Sequence, residues 1–147
     1  MSQPSLFGRP GGGSATAYID GGSRGNPGPA GYGVRIERDA GGVIELKEPL
    51  GIATNNVAEY RGLIAALAWA VRDGISRLHV RSDSLLLVKQ MLGEYRVKHQ
   101  GLRPLWDEAR RLVHQVGDVQ FEHVRRELNK DADRLANEAM DEAAAQP

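Results

Sequence analysis

The hydrophobic positions change period several times along the chain, and each change marks an element. Residues 15–20 alternate and read as a short strand that stops at Gly21-Gly22. Residues 25–33 set Pro27 and Pro29 among glycines and read as a turn-rich loop. Residues 32–38 and 43–50 read as strands joined by Asp39-Ala40-Gly41-Gly42, a hairpin signal. Val57, Leu63, Ile64, Leu67 and Val71 then recur at helical spacing, which predicts a helix over 57–72 closed by Asp73-Gly74. Residues 77–82 alternate again as strand, and 84–92 predict a short helix ended by Gly93. A further helix is expected over 102–116, with Pro104 tolerated in its first turn, then a strand over 119–124. The last helix spans 130–145, with Leu135, Ala136 and Ala139 on one face. The order β-β-β-α-β-α-α-β-α predicts an α/β fold: a mixed five-stranded sheet, three antiparallel strands followed by two parallel ones, flanked by helices.

A length of 147 residues suits one domain with a sizeable core. Residues 1–14 are rich in Gly, Ser and Pro and read as a flexible tail, which leaves 15–147 as the folded domain. With 41% hydrophobic and 26% charged residues, disorder over most of the length is excluded. The absence of cysteine excludes disulfides and cysteine-ligated zinc or iron–sulfur centres. The longest apolar run, 63–71, is too short for a bilayer, and the N-terminus has no signal pattern. A cytoplasmic, monomeric protein without membrane contact is therefore expected.

Charge adds a feature that composition hides. The 19 basic and 19 acidic residues cancel, but residues 72–126 carry eleven basic against seven acidic, and residues 127–147 carry two against six. The basic middle could hold a phosphate backbone while the acidic end sits elsewhere.

Four carboxylates fall at element ends: Asp20 at the end of the first strand, Glu59 in the first turn of the first helix, Asp83 at the end of the fourth strand and Asp133 in the first turn of the last helix. Each has an ordinary reading. Asp20 can form an Asx-turn, Asn56-x-x-Glu59 resembles a capping box, Asp83 can cap the following helix, and Asp133 suits a helix N-terminus. Taken together they suggest more. With the first and fourth strands adjacent, Asp20 and Asp83 lie side by side, and four carboxylates in one pocket repel one another unless cations intervene. Magnesium takes oxygen ligands, and a pair of such ions can clamp the attacking and leaving oxygens of a phosphodiester.

The segments YIDGGSRGNPGPAGYGV (18–34), TNNVAEYRGLIAAL (54–67), VRSDSLLLVKQM (80–91) and ELNKDADRLANEA (127–139) resemble type 1 ribonuclease H, and the likeness covers about residues 15–142. The resemblance implies a ribonuclease H-like fold and an endonuclease that cuts the RNA strand of RNA/DNA hybrids, leaving 5′-phosphate and 3′-hydroxyl ends. It implies that Asp20 bridges two Mg²⁺ ions (Mn²⁺ substituting), that Glu59 and Asp83 complete the coordination, and that Asp133, matched through Asn129-x-x-x-Asp133, holds the second metal. By the same likeness Gly21, Gly22, Ser23, Gly25, Asn26, Thr54, Asn55, Asn56 and Ser84 are expected to contact substrate. Glycines there let backbone approach a sugar edge, where the 2′-hydroxyl separates RNA from DNA.

The chain departs from the family in three places. The basic protrusion that some members carry is absent; residues 93–104 form a short link in which Arg96, Lys98 and Arg103 keep some positive charge. The loop before the last helix, VRREL, lacks the family's catalytic His. Arg126, or its neighbour Arg125, is the candidate to supply charge there, while His123 is expected on the fifth strand in a structural role. Leu85 stands where some relatives place a polar contact. These features resemble a compact subtype, some members of which also act on double-stranded RNA. Trp69 is expected in the core or on the helix surface rather than as a base-stacking platform, and Trp106, near the basic link, could support the DNA strand. In the tail, Gln3, Leu6 and Phe7 resemble a bacterial sliding-clamp-binding motif. The rival functions are a hybrid-binding module without catalysis and a nuclease of the same fold with another substrate.

Overall fold

A computed structural model describes residues 12–146. The tail residues Gln3, Leu6 and Phe7 lie outside the described residues. Five strands form one sheet: β1 (Gly13–Ser23), β2 (Gly28–Arg38), β3 (Val43–Ala53), β4 (Ile75–Ser82) and β5 (Asp118–His123). Four α-helices join and flank them: α1 (Asn55–Arg72), α2 (Leu85–Met91), α3 (Arg103–Val116) and α4 (Lys130–Ala145). A 3₁₀ turn (Arg126–Leu128) precedes α4.

The strand order is β3-β2-β1-β4-β5. β1–β2 and β2–β3 pair antiparallel, while β1–β4 and β4–β5 pair parallel, as the element order implies. Alternation along β1 turns Ala15, Ala17 and Ile19 into the core beneath α1, where Leu63, Ala66, Leu67 and Trp69 are buried. The opposite face of β2 receives α4. A Cβ at Gly33 would stand 2.5 Å from the Ala132 oxygen and the Ala136 nitrogen, and one at Gly31 would stand 2.5 Å from the Ala139 Cβ. Bare α-carbons thus let α4 lie directly on the sheet, with Leu135, Ala136, Ala139 and Met140 buried.

The element ends differ from the sequence reading. β1 starts at Gly13 and runs on through Gly21 and Gly22 to Ser23, pairing Asp20 with Gly33 and Gly22 with Gly31. β2 begins at Gly28, so the turn between them is short. Glycines that read as punctuation are strand residues here, because α1 and α4 need the space their side chains would fill.

Candidate active site

Asp20 lies inside β1, three residues before its end, rather than at its end. The parallel register pairs Ile19 with Ser82, so Asp20 and Asp83 follow as the next residues of adjacent strands. Asp83 itself lies just past β4. Glu59 belongs to the second turn of α1, not the first, since Thr54 is the N-cap and its Oγ1 accepts from the Val57 N–H at 3.3 Å. The Asn56–Glu59 capping box is thus not formed, and Glu59 is free for the groove. Asp83 does not cap α2 either; the Ser84 hydroxyl does, accepting from the Leu87 N–H. Asp133 is in the first turn of α4, as expected. Asn129 locates that turn: it is buried, and its Nδ2 donates to the Ile19 carbonyl at 2.9 Å, beside Asp20.

Gly21 brings Glu59 close to β1. A Cβ there would lie 2.5 Å from the Ala58 oxygen and the Glu59 nitrogen. The space above its α-carbon is taken by α1, so Gly21 seats the helix; Gly21, Gly22 (facing the Met140 side chain) and Ser23 all line the groove.

Asp20, Glu59, Asp83 and Asp133 line one open groove of about 1040 Å³, together with Gly22, Arg24, Asn55, Asn56, Ser84, Leu85, His123, Arg125 and Arg126. Thr54, Gly25 and Asn26 stand outside this lining. Burial first, then the Asp83 charge and a side-chain hydrogen bond with Asp133, push the Asp20 carboxyl up to about 8. Burial raises Glu59 to about 7, opposed by the Ser84 hydroxyl, which donates to Glu59 Oε1 at 3.2 Å. Asp83 is raised by burial and held back chiefly by the Arg126 guanidinium, with a smaller contribution from His123. Arg126 thus acts on a site carboxylate. His123 ends β5 exposed, on the groove, and not in the structural role expected from alternation. The signal missed was its position at the strand's last residue, where alternation no longer determines burial.

These carboxylates fit a divalent cation. The donors are all hard oxygens, and burial first, then neighbouring carboxylates, disfavour the negative charge of Asp20, Glu59 and Asp83. Among the described residues no three His, Asp or Glu side chains converge into a ready-made metal cage. An open donor set of this kind suits Mg²⁺, which keeps waters and takes further oxygens from substrate phosphate.

The wall of the groove is made by the β1–β2 turn and the start of α1. The Ser23 N–H donates to Asn55 Oδ1 at 2.7 Å, the Ser23 hydroxyl to the Ala53 carbonyl at 2.8 Å, and the Asn55 N–H to Asn26 Oδ1 at 3.1 Å. Both asparagines use their oxygens internally and keep their amide donors for an external acceptor. On the far side of α2, Trp106 is half-buried: its Nε1 donates to the Gln90 carbonyl, and Arg103 and Arg110 approach its ring. Its edge and ring are both engaged, and it lies outside the groove lining. Trp69 is in the core, as expected.

Comparison with known proteins agrees with this geometry. A family model described as "Reverse transcriptase-like" matches residues 18–139. A bifunctional protein of Mycobacterium tuberculosis is 53% identical over 127 residues, which are 85% of this chain and 35% of that protein. The chain therefore spans about a third of the length of such mycobacterial relatives. Ribonuclease HI of Halobacterium salinarum is 46% identical over 133 residues, covering 90% of this chain and 67% of the relative. Among solved structures, the N-terminal RNase H domain of the M. tuberculosis protein, solved as a maltose-binding-protein fusion, has a TM-score of 0.86 at 49% identity, covering 90% of this chain and 96% of the other. The LC11 RNase H1, solved in complex with an RNA/DNA hybrid, has a TM-score of 0.83 at 41% identity, covering 89% and 99%. With its sheet order, its groove of carboxylates and these relatives in agreement, the chain belongs to the ribonuclease H-like family.

Proposed function

We propose that this chain is a metal-dependent endoribonuclease that hydrolyses the RNA strand of RNA/DNA hybrids. The observation that carries the reading is the meeting of Asp20, Glu59, Asp83 and Asp133 on one open groove, with Asp20 and Glu59 raised to about 8 and 7. Two Mg²⁺ ions held by these carboxylates would supply charge stabilisation at the scissile phosphate and a water of lowered pKa, with Mn²⁺ able to substitute.

The chain's own residues do the rest. The Ser84 hydroxyl holds Glu59 in one orientation through its 3.2 Å hydrogen bond. Arg126 puts a fixed positive charge beside Asp83, where the phosphoryl group gains negative charge during in-line attack by water. Gly22, Asn55 and Asn56 border the groove, and the amide donors of Asn26 and Asn55 are available to sugar and base acceptors. Such contacts suit a minor groove that displays 2′-hydroxyls. Two relatives support the substrate class: one is named ribonuclease HI, and another was solved with an RNA/DNA hybrid.

The test is cleavage of an end-labelled RNA/DNA hybrid beside the same RNA alone and in an RNA duplex, with Mg²⁺ and with EDTA, for the natural protein and Asp83→Asn. The expected result is Mg²⁺-dependent cutting of the hybrid, ending in 5′-phosphates and lost in the variant. Cutting of the duplex RNA would widen the substrate class. Binding of hybrid without cutting in Mg²⁺ or Mn²⁺ would replace this reading with that of a binding module.

A further inference from the structure

Arg24 stands in the turn between β1 and β2, and its side chain crosses to α4. Its Nη1 lies 2.7 Å from Asp141 Oδ1, and its Nη2 donates to the Asn137 carbonyl at 3.3 Å and to Asn137 Oδ1 at 3.2 Å. Asn137 in turn donates from Nδ2 to the backbone carbonyl of Asp133 at 2.9 Å. The other side of the same turn is tied to α1 through Ser23, Asn26 and Asn55. The turn is therefore strung between the helix that carries Glu59 and the helix that carries Asp133.

Of the two ends of the Arg24 bridge, α4 is the fixed one. It is seated on Gly31 and Gly33 and buries Leu135, Ala136 and Ala139. The turn has no such packing: Arg24, Gly25 and Asn26 are exposed, and Gly25 holds a φ of 101°. An ion pair whose side chains are 43% and 66% exposed adds little to global stability. What a planar, forked guanidinium does add is geometry, since it meets Asp141 and Asn137 at once.

We propose that Arg24, which lines the groove, is a positioning residue: clasped to Asp141 and Asn137, it holds the β1–β2 turn in the form that receives the hybrid, and so sets substrate affinity through the turn. The proposal rests on the ribonuclease reading above. Its physical basis is preorganisation, because a turn already fixed loses less conformational freedom on binding.

The test uses the Asp83→Asn protein as a nuclease-silent parent and measures its affinity for a fluorescent RNA/DNA hybrid over a range of NaCl. Arg24→Ala and Asp141→Ala are each expected to weaken binding by about three- to tenfold, and the double variant no further, because the two residues form one device. The slope of log affinity against log salt is expected to stay unchanged. With Asp83 restored, the loss should fall on KM, kcat staying within about twofold. Thermal melting of each variant checks that the fold is intact. Two results would overturn the proposal. One is a slope reduced by about one charge in Arg24→Ala, with affinity kept or tightened in Asp141→Ala, which makes Arg24 a direct phosphate ligand. The other is unchanged affinity in both. A natural protein that neither cuts nor binds hybrid refutes the ribonuclease reading itself, a result distinct from either.

Discussion

Asp20 combines two demands that conflict in one side chain. It is placed by a strand register, next to a second carboxylate and in contact with a third, so its charge is unfavourable in the protein alone. Removing that charge should help the fold and abolish the chemistry. Asp20→Asn is expected to raise the stability of the metal-free protein by about 1–3 kcal/mol at pH 8, well below the full value of the pKa displacement because the groove is open to water. Activity on hybrid should fall by about a thousandfold, the loss of several kcal/mol of charge stabilisation. Chemical denaturation in EDTA and initial cleavage rates measure the two effects, and a variant both less stable and active would contradict the assignment. Gly21 makes the opposite point. Gly21→Ala forces a methyl into the α1 backbone and should destabilise by about 3 kcal/mol, read as a lower denaturation midpoint, although it removes no functional group. Of these two neighbours, only Asp20 was legible in the sequence. A carboxylate repeated at element ends is a chemical pattern, whereas a glycine's meaning depends on which helix crosses it.

At the scale of elements, the pattern predicts every strand and α-helix; the bounds of α4 match, while β1, β2, α1 and β4 start earlier than expected and the 3₁₀ turn is not foreseen. The rise of β2 from Gly28 was hidden because Gly31 and Gly33 look like loop residues until α4 is seen resting on them. The acidic end of the chain likewise makes sense only in three dimensions. Glu138 and Glu142 of α4 meet Lys47 of β3, Asp131 meets Arg35 of β2, and Arg134 returns to Glu45. The charge imbalance along the sequence is thus partly cancelled across the sheet: Asp131, Glu138 and Glu142 are paired outside the groove lining, and of the acidic residues at that end only Glu127 and Asp133 line the groove. These exposed pairs should each be worth little; Lys47→Ala is expected to shift stability by under about 1 kcal/mol. The seat of α4 should matter far more. Gly33→Ala would lift the helix that carries Asp133, and the expected outcome is a loss of about 3 kcal/mol or more with activity reduced in the protein that remains folded. Guanidinium denaturation of the two variants side by side compares packing with surface charge directly.

At the scale of the whole molecule, the clustered carboxylates make folding depend on pH. An unfolded chain ionises Asp near 3.8 and Glu near 4.5, whereas the folded protein holds the Asp20 proton to about 8 and the Glu59 proton to about 7, with Asp83 displaced the same way. Between those limits the folded state binds more protons than the unfolded state, so stability is full at low pH and falls as pH rises through the folded values. In EDTA the melting temperature should therefore decline from about pH 5 to about pH 8 and level off above it. The surface ion pairs oppose this only at the acidic end, since Glu138, lowered by Lys47 and Arg134, loses its contribution as pH falls through its own depressed value. The informative quantity is the difference between the natural protein and Asp20→Asn, in which most of the decline should vanish. Adding Mg²⁺ should flatten the natural protein's profile and leave that of the variant nearly unchanged, because a cation held by the carboxylates replaces the protons they would otherwise keep. Calorimetric scans at a series of pH values, with EDTA and with Mg²⁺, separate these cases without any substrate. An EDTA profile that stays flat from pH 5 to pH 8 would mean that the folded groove does not disfavour the charges of Asp20 and Glu59, and with it the electrostatic reason for a metal at this groove would be gone.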